Sequence, residues 1–220
     1  MTLWAHVYGG YASYENAYPW GDGEHVAHKF VQLLKGEVAN GYGWLPRATG
    51  PGKLKISTPL RHNAFAAFGE WGGAIANQLY PDGAWLVPVP SSSCLSVGQD
   101  PKGRALAAAI AARSASRSVD ALHWHIQLPS ARSGGPRDAE TLFANVRART
   151  DLAKRPVVLV DDVVTGGGHA IACARALRAL GHEVEHVIAG ARTVKSPPVG
   201  GMFAIADWDL EANPFAGIFG

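Results

Sequence analysis

Two adjacent carboxylates precede a glycine-rich turn in the segment RPVVLVDDVVTGGGHAIACARALRALG, residues 155–181. The apolar run 157–160 predicts a buried central strand, and the Ala- and Leu-rich run 169–180 predicts a helix that ends at Gly181. The connecting loop therefore opens onto a helix N-terminus, where unpaired N–H groups and the helix dipole favour an anion. Glycines let the backbone approach that anion closely, and Thr165 can add a hydroxyl donor. The spacing predicts a phosphate-binding loop at residues 163–168.

The carboxylates of Asp161 and Asp162 would repel a phosphate, so they need a role of their own. They suit a ligand that carries a phosphate together with a neutral diol or a metal ion. The carboxylates would then accept hydrogen bonds from sugar hydroxyls while the loop holds the phosphate. The alternative is a solvated turn in which Asp162 caps the helix. A further apolar run at residues 183–189 completes a β–loop–α–β unit with parallel strands.

Three other classes of phosphate site do not fit the sequence. No G-x-x-x-x-G-K-[ST] loop exists to accompany the acid pair. A dinucleotide fingerprint would place G-x-G-x-x-G directly after the strand, but DDVV intervenes and Ile171 occupies the last glycine position. A receiver domain carries its acid pair near its start, whereas fewer than about 60 residues follow this one. A phosphorylated sugar remains the ligand class that fits.

The segment VVLVDDVVTGGG resembles the motif with which type I phosphoribosyltransferases bind 5-phosphoribosyl 1-pyrophosphate (PRPP). The resemblance implies that Asp161 and Asp162 contact the ribose 2′- and 3′-hydroxyls. It also implies a 5′-phosphate site formed by Val163, Val164, Thr165, Gly166, Gly167 and Gly168. The family often has two hydroxyl residues in this loop and another just after it. Here Thr165 is followed by glycines, and His169 comes after them.

A second anion-binding loop is needed for a pyrophosphate leaving group, usually together with Mg²⁺. Upstream, residues 85–89 predict a strand and residues 104–113 a helix, with a polar loop between them. This stretch resembles the VPVP…RG segment of the ComF-like branch of the family. The resemblance implies a pyrophosphate site formed by Pro88, Ser91, Ser92, Lys102 and Arg104. The alternative is an ordinary surface loop.

A candidate lid lies in the segment SARSGGPRDAE, residues 130–140, ahead of a predicted helix. It resembles the flexible loop of the same branch, which closes over the substrate and excludes water. Arg132 and Arg137 could then reach the diphosphate. The alternative is a surface loop without a ligand. The alternating segment before it, residues 121–128, predicts a second core strand.

The resemblance also implies a variable hood that covers the acceptor. We expect residues 1–57 to form this hood and residues 58–220 the phosphoribosyltransferase core, with residues 200–220 adding to the hood. Helices are predicted at 24–35 and 58–79, and a strand at 203–205. Several aromatic side chains could stack on a planar base or simply pack in the fold: Tyr11, Tyr14, Tyr18, Trp20, Trp44 and, framed by Asp207 and Asp209, Trp208. Trp20 and Trp208 are our candidates for acceptor stacking.

The composition agrees with a single intracellular enzyme. At 220 residues and 47% apolar content, the chain can bury one core with an added subdomain. It has no long apolar span and no signal pattern, so we expect a cytoplasmic protein without membrane association. Cys94 and Cys173 form no C-x-x-C pair, unlike the cysteine-rich zinc module with which ComF-like proteins often start. A net charge of +2 gives little support to nucleic-acid binding.

The resemblance implies an α/β fold, a doubly wound parallel sheet flanked by helices. It further implies a phosphoribosyltransferase that moves 5-phosphoribose from Mg²⁺-PRPP to a nitrogen nucleophile on a nucleobase-like acceptor and releases pyrophosphate. We expect Mg²⁺ to be held mainly through PRPP, without a dedicated set of protein ligands. The alternative is a non-catalytic regulator that binds PRPP or a nucleotide, or a DNA-uptake-type accessory protein, on the same fold. The sequence does not decide whether the chain forms a homodimer.

Overall fold

A computed structural model describes residues 2–14, 16–129 and 134–212. Along these residues the elements are β1 (Trp4–Ala12), α1 (Asp22–Leu34), β2 (Tyr42–Pro46), β3 (Lys53–Ser57), α2 (Arg61–Leu79), β4 (Trp85–Pro88), α3 (Pro101–Ala111), β5 (Arg117–Ser118), β6 (Leu122–Trp124), α4 (Ala139–Asn145), β7 (Val146–Ala148), β8 (Val157–Val164), α5 (Gly168–Ala179), β9 (Val184–Val194) and β10 (Trp208–Asp209).

The central sheet has the strand order β10-β1-β9-β8-β4-β5. Its neighbouring strands run parallel, except that β10 pairs antiparallel with β1. The chain moves from β4 outward to β5, and later from β8 in the opposite direction to β9. The strand order therefore reverses between β4 and β8, which is where ligands bind in open parallel sheets.

Both faces of the sheet are covered by a hydrophobic core, and β8 contributes apolar side chains to each core. Val158 and Val160 belong to a core formed with the face that carries α1, α2 and α3. Val157 and Leu159 belong to the core on the opposite face, which includes apolar residues of α5. This continuous apolar run is typical of a strand buried on both sides. The doubly wound α/β fold predicted from the sequence is confirmed.

The β–loop–α–β unit around β8 forms as predicted, except that β8 continues through the acid pair to Val164, so the loop before α5 is residues 165–167. The structure places α5 at Gly168–Ala179 and β9 at Val184–Val194. Gly167, directly before α5, has a φ of 83°, a backbone conformation that side-chain-bearing residues rarely adopt. The helices predicted at 24–35 and 58–79 are α1 and α2. No helix among the described residues is both long enough and apolar enough to cross a membrane.

Two predicted strands are wrong in their placement, and one strand of the central sheet was not predicted. The predicted second core strand supplies only β6, which pairs with β7 in a separate two-stranded sheet. Residues 203–205 form no strand; the edge pairing with β1 comes from β10 instead. Residues 4–12, for which no strand was predicted, form β1 inside the central sheet, while the division into hood and core stays a prediction. Alternation at residues 121–128 indicated an extended segment, but its partner strand was decided by packing.

Candidate active site

A cleft of about 520 Å³ lies at the carboxyl ends of β4 and β8, where the strand order reverses. Its walls come from the end of β8 and the start of α5, from the loop after β4, and from the ends of β1, α1 and β9. The lining residues are Tyr11, Lys35, Glu37, Val89, Pro90, Ser91, Ser92, Lys102, Arg137, Asp161, Asp162, Val163, Val164, Thr165, Gly166, Gly167, Gly168, His169, Ala170 and Thr193. The cleft thus contains the acid pair and the whole predicted phosphate loop.

The glycines of the phosphate loop stand where side chains would not fit. A Cβ on Gly167 would lie 3.0 Å from the Leu210 side chain, and a Cβ on Gly168 would overlap the carbonyl oxygen of Arg137. The loop leads directly into α5, so the unpaired N–H groups of that helix are available at the cleft. Glycines that allow close backbone approach, followed by the unpaired N–H groups of a helix, are the features of an anion-binding loop.

The hydroxyl of Thr165 already has a partner in this structure. Its Oγ1 lies 3.0 Å from Oγ1 of Thr193, at the end of the neighbouring β9. The loop is therefore tied to the next strand through its single hydroxyl side chain. His169 follows the loop and packs edge-on against Trp124, with 5.6 Å between ring centroids. Burial, with a contribution from Arg137, lowers the pKa of His169.

The acid pair is joined to the first turn of α3 by an ion pair. Nζ of Lys102 lies 2.7 Å from Oδ2 of Asp162, whose side chain is only 10% exposed. The backbone N–H of Asp162 donates to Oδ1 of Asp161 at 2.7 Å. Burial and the adjacent Asp162 raise the pKa of the Asp161 carboxyl, while Lys102 opposes that rise. Burial acts to lower the pKa of Lys102, but Asp162, Asp161 and Asp100 together outweigh burial and the pKa is raised.

Asp100 shapes the loop between β4 and α3, a role that the sequence analysis missed. Its Oδ2 accepts a hydrogen bond from the N–H of Ser91 at 2.7 Å, and its Oδ1 accepts one from the N–H of Gly103 at 3.0 Å. Asp100 thereby caps α3 and holds both ends of the loop together. An acid followed by Pro101 at the first helical position is a recognisable cap signal that could have identified it.

The structure separates the residues predicted for pyrophosphate. Ser91, Ser92 and Lys102 line the cleft. Pro88 is buried at the end of β4. Arg104 is directed elsewhere: its guanidinium lies 2.9 Å from Oδ2 of Asp120 and donates to the carbonyl of Gly98 at 2.7 Å. The proposed pyrophosphate set is therefore reduced to the two serines and the lysine, and its role stays a prediction.

One of the two lid arginines can be placed. Arg137 lines the cleft just before α4, and Asp138 caps that helix by accepting from the N–H of Thr141 at 2.8 Å. Arg132 lies outside the described residues. The helix after the lid is anchored to α5 through an ion pair between Glu140 and Arg175. Any lid would therefore have a fixed C-terminal end at α4.

The two aromatic candidates for acceptor stacking lie outside this cleft. Trp20 packs against His25 and His28, with centroid distances of 5.5 and 5.1 Å. Trp208 lines a neighbouring cleft, where the guanidinium carbon of Arg192 lies 4.1 Å from its ring centroid. The flanking acids do not frame a base: Asp207 contacts His6 at 2.7 Å, and Asp209 accepts from the N–H of Glu211 at 2.9 Å.

An aromatic residue of β1 and the end of α1 reach the cleft instead. Tyr11 stacks on His28 with ring centroids 5.3 Å apart, and Nζ of Lys35 lies 5.2 Å from the Tyr11 centroid. Lys35 and Glu37 line the cleft beside it. The sequence named Tyr11 among many aromatics but gave no signal for Lys35 or Glu37, since neither belongs to a motif.

The cleft offers oxygen ligands of the type that Mg²⁺ prefers, namely the carboxylates of Asp161 and Asp162. Among the described residues there is no group of three or more His, Cys, Asp or Glu side chains that could hold a metal ion. Magnesium held mainly through PRPP stays a prediction.

No protein-family model matches the chain, and no curated protein matches it either. Solved structures of adenine phosphoribosyltransferases are similar to it. The Trypanosoma brucei protein, in complex with AMP, pyrophosphate and ribose-5-phosphate, is 12% identical with a TM-score of 0.43, over 76% of this chain and 79% of that one. The Saccharomyces cerevisiae protein is 16% identical with a TM-score of 0.37, over 75% and 96%. The Leishmania donovani protein is 14% identical with a TM-score of 0.39, over 82% and 90%. Similarity at this level concerns the α/β fold alone, so we base the functional proposal on the residues of the cleft. The resemblance to the ComF-like branch stays a prediction.

Proposed function

We propose that the protein is a phosphoribosyltransferase that uses PRPP and releases pyrophosphate. The observation that carries the proposal is one cleft that contains a glycine-rich loop, an acid pair, and the loop after β4 together with Lys102 in the first turn of α3. A ligand with a phosphate at one end, a diol in the middle and a diphosphate at the other end matches these three features in order.

The 5′-phosphate end of PRPP binds at the start of α5. Backbone N–H groups of residues 165–168 donate to the phosphate oxygens, and the helix dipole favours the negative charge. Asp161 and Asp162 then accept hydrogen bonds from the ribose hydroxyls. Hydrogen bonds to charged acceptors contribute roughly 1.5–3 kcal/mol each, which offsets the repulsion between carboxylate and phosphate.

The diphosphate end binds beside Ser91, Ser92 and Lys102. Because Lys102 is paired with Asp162 in the ligand-free protein, binding exchanges one anionic partner of the lysine for another. The ribose hydroxyl takes the place of the ammonium group at Asp162. Each charged group thus keeps a partner throughout, which avoids the cost of leaving a buried charge unpaired.

The reaction breaks the bond between C1′ and the pyrophosphate oxygen, and both electrons leave with pyrophosphate. The lone pair of the acceptor nitrogen forms the new bond to C1′, and the nitrogen loses its proton to solvent. Lys102 stabilises the charge that develops on the leaving group. When bound, Mg²⁺ would supply further charge neutralisation at the diphosphate, with Asp161 and Asp162 within the same cleft as oxygen ligands.

A second candidate is a non-catalytic protein that binds PRPP or a nucleotide. The observation that favours it is the pairing of Thr165 with Thr193, which occupies the only hydroxyl side chain of the described loop residues 163–168. A loop with fewer free donors would still bind phosphate through its backbone, but with less stabilisation of the reacting state.

Pyrophosphate release from Mg²⁺-PRPP across a panel of nitrogenous acceptors distinguishes the two candidates. Turnover that disappears in the Asp161→Asn, Asp162→Asn double variant supports the transferase. PRPP binding by calorimetry without turnover for any acceptor supports the regulator. Asp82→Asn is the matched control, because this exposed aspartate precedes β4 at the opposite end of the sheet. If neither PRPP nor a nucleotide binds, both candidates are wrong.

A further inference from the structure

A second cleft of about 600 Å³ lies on the other side of the wall formed by the phosphate loop and the end of β9. Thr165, Gly166 and Thr193 line both clefts and therefore belong to this wall. The rest of the lining comes from within residues 192–199 and 204–208. The reaction proposed above takes place in the first cleft and makes no use of the second.

Arg192 is a half-buried cation in this second cleft. Its guanidinium carbon lies 4.1 Å from the ring centroid of Trp208. Within residues 2–14, 16–129 and 134–212, that guanidinium has no hydrogen-bond acceptor and no carboxylate at ion-pair distance. Burial lowers the pKa of Arg192, because the charged form loses water without gaining an anion.

Other arginines of the chain show what is missing at this position. Each of them lies within ion-pair distance of a carboxylate: Arg47, Arg104, Arg149, Arg175 and Arg178. The side chain of Arg178 is only 12% exposed, and its guanidinium lies 2.8 Å from Oε1 of Glu211. Burial and pairing therefore go together at Arg178, whereas Arg192 is partly buried without an anion.

The other charged groups of the second cleft leave it positive. Lys195, which is exposed, adds a second cation to the lining. Asp207 is the acid among the lining residues, and its Oδ2 lies 2.7 Å from Nδ1 of His6. The carboxylate of Asp207 is thus directed to a histidine of β1, and the two cations of the cleft share no acid between them.

Hydroxyl groups stand beside these cations. Ser196 and Thr193 both line the cleft, and Oγ1 of Thr193 lies 3.0 Å from Oγ1 of Thr165. This pair of hydroxyls has two hydrogens and uses one of them in the mutual hydrogen bond. When Thr165 donates to Thr193, the hydrogen of Thr193 is available to an anion in the second cleft.

We propose that the second cleft is a binding site for the phosphate group of a small molecule. Arg192 and Lys195 act as the charged donors, and Thr193 and Ser196 as the hydroxyl donors. A tetrahedral phosphate offers enough oxygens for several donors at once, whereas a carboxylate offers two. The inference concerns a cleft outside the proposed transfer reaction and does not depend on that reaction.

The test follows inorganic phosphate by NMR at two indole N–H groups of the full chain. Trp208 reports on the second cleft, because it lies under Arg192, and Trp208→Phe identifies its signal. Trp124 reports on the first cleft, because its ring packs against His169 and its Nε1–H donates to the carbonyl of Pro90. We expect the Trp208 signal to shift saturably with phosphate, but not with acetate at equal ionic strength.

Two variants of the second cleft identify the donors. Arg192→Met keeps the apolar length of the side chain and removes its charge, so phosphate affinity at the Trp208 reporter should fall by about tenfold or more. Lys195→Met changes an exposed residue that is not expected to affect folding, and should weaken the same response several-fold. Arg117→Met, an exposed arginine of β5, is the matched control and should leave the response unchanged.

The absence of a saturable phosphate shift at Trp208 would overturn the inference, and so would an unchanged phosphate affinity in Arg192→Met. Should circular dichroism show that Arg192→Met is unfolded, Lys195→Met decides in the same way. An equal response to acetate would contradict phosphate as the ligand. The two proposals fail separately: if Trp208 responds in an Arg192-dependent way while PRPP does not bind to the chain, the second cleft stands and the transferase is wrong.

Discussion

Nζ of Lys102, in the first turn of α3, lies 2.7 Å from Oδ2 of Asp162, near the end of β8. The two residues are predicted to bind neighbouring parts of one ligand, Lys102 the diphosphate and Asp162 the ribose, yet they contact each other in the ligand-free protein. The contact neutralises a carboxylate that is only 10% exposed and would otherwise be costly to bury. It also means that ligand binding must exchange partners at both residues, and this exchange can be tested.

Replacing Lys102 with Met should affect the two ends of the ligand differently. We expect PRPP to bind about tenfold or more weakly, because the diphosphate loses a cation. Ribose 5-phosphate, which lacks the diphosphate, should bind with little loss, since its hydroxyl no longer competes with the ammonium group for Asp162. Calorimetric titration of both ligands measures the difference. Arg104→Met is the control, as this arginine is paired with Asp120 outside the cleft. Equal losses for both ligands would remove Lys102 from the diphosphate site.

Replacing Asp161 and Asp162 together with Asn keeps the shape of the acid pair and removes its charge. PRPP affinity should fall by roughly tenfold or more, because the ribose hydroxyls lose a charge-assisted hydrogen bond to Asp162, the ion-pair partner of Lys102. The fold should survive, as circular dichroism would show. Asp82→Asn should bind as the unchanged protein does. If the double variant binds PRPP as tightly as the unchanged protein, the acid pair does not hold the ribose.

Asp161 should make the fold less stable as the pH rises. Burial raises the pKa of this carboxyl in the folded protein above its value in the unfolded chain. Its contribution to stability is therefore fully present below the unfolded pKa and is lost as the pH rises through the folded pKa. Asp161→Asn removes the titration, so the variant should gain stability relative to the unchanged protein between about pH 6 and about pH 9, by on the order of 1 kcal/mol. Urea unfolding of both proteins at both pH values measures the difference in their free energies of unfolding. The same difference at the two pH values would contradict the prediction.

His169 should take up protons when phosphate binds. Burial and Arg137 lower its pKa in the ligand-free protein, so the imidazole is neutral near pH 7. A phosphate dianion at the neighbouring loop favours the protonated form and raises this pKa, so affinity should increase as the pH falls between the two values. Calorimetry of ribose 5-phosphate in buffers with different ionisation enthalpies measures the uptake. His169→Gln should reduce the proton uptake. Equal uptake by the variant would show that His169 is not the group that takes up the proton.

Ligand should protect the candidate lid from proteolysis. If the segment before α4 closes over PRPP, cleavage by trypsin after Arg137 should be slowed several-fold by Mg²⁺-PRPP, because the backbone is then held against the ligand. Mass spectrometry of timed digests locates the cut. Cleavage after exposed Arg117 provides the internal control and should keep its rate. Identical rates at Arg137 with and without ligand would argue against a closing lid.

The unit from β8 to β9 could be predicted from the sequence because its determinants are local. A continuous apolar run, three glycines and an Ala-rich stretch each act on neighbouring residues, so they predict the strand, the loop and the helix without reference to the rest of the chain. The phosphate loop and the acid pair follow directly, since both lie within the same contiguous segment at the end of β8.

Contacts between distant residues were decided only by the tertiary structure. Alternation at residues 121–128 indicates an extended segment, but hydrogen-bonding groups are the same on every strand, so the pattern does not select β7 over the central sheet as its partner. The position of β1 between β9 and β10 brings Tyr11 to the cleft, and the reversal between β4 and β8 brings Lys102 to Asp162. Arg192 and Trp208 stack for the same reason, because strand order rather than sequence spacing places their elements together. The sequence therefore determined the segment that forms the predicted phosphate loop, while packing of the sheet determined which charges surround it.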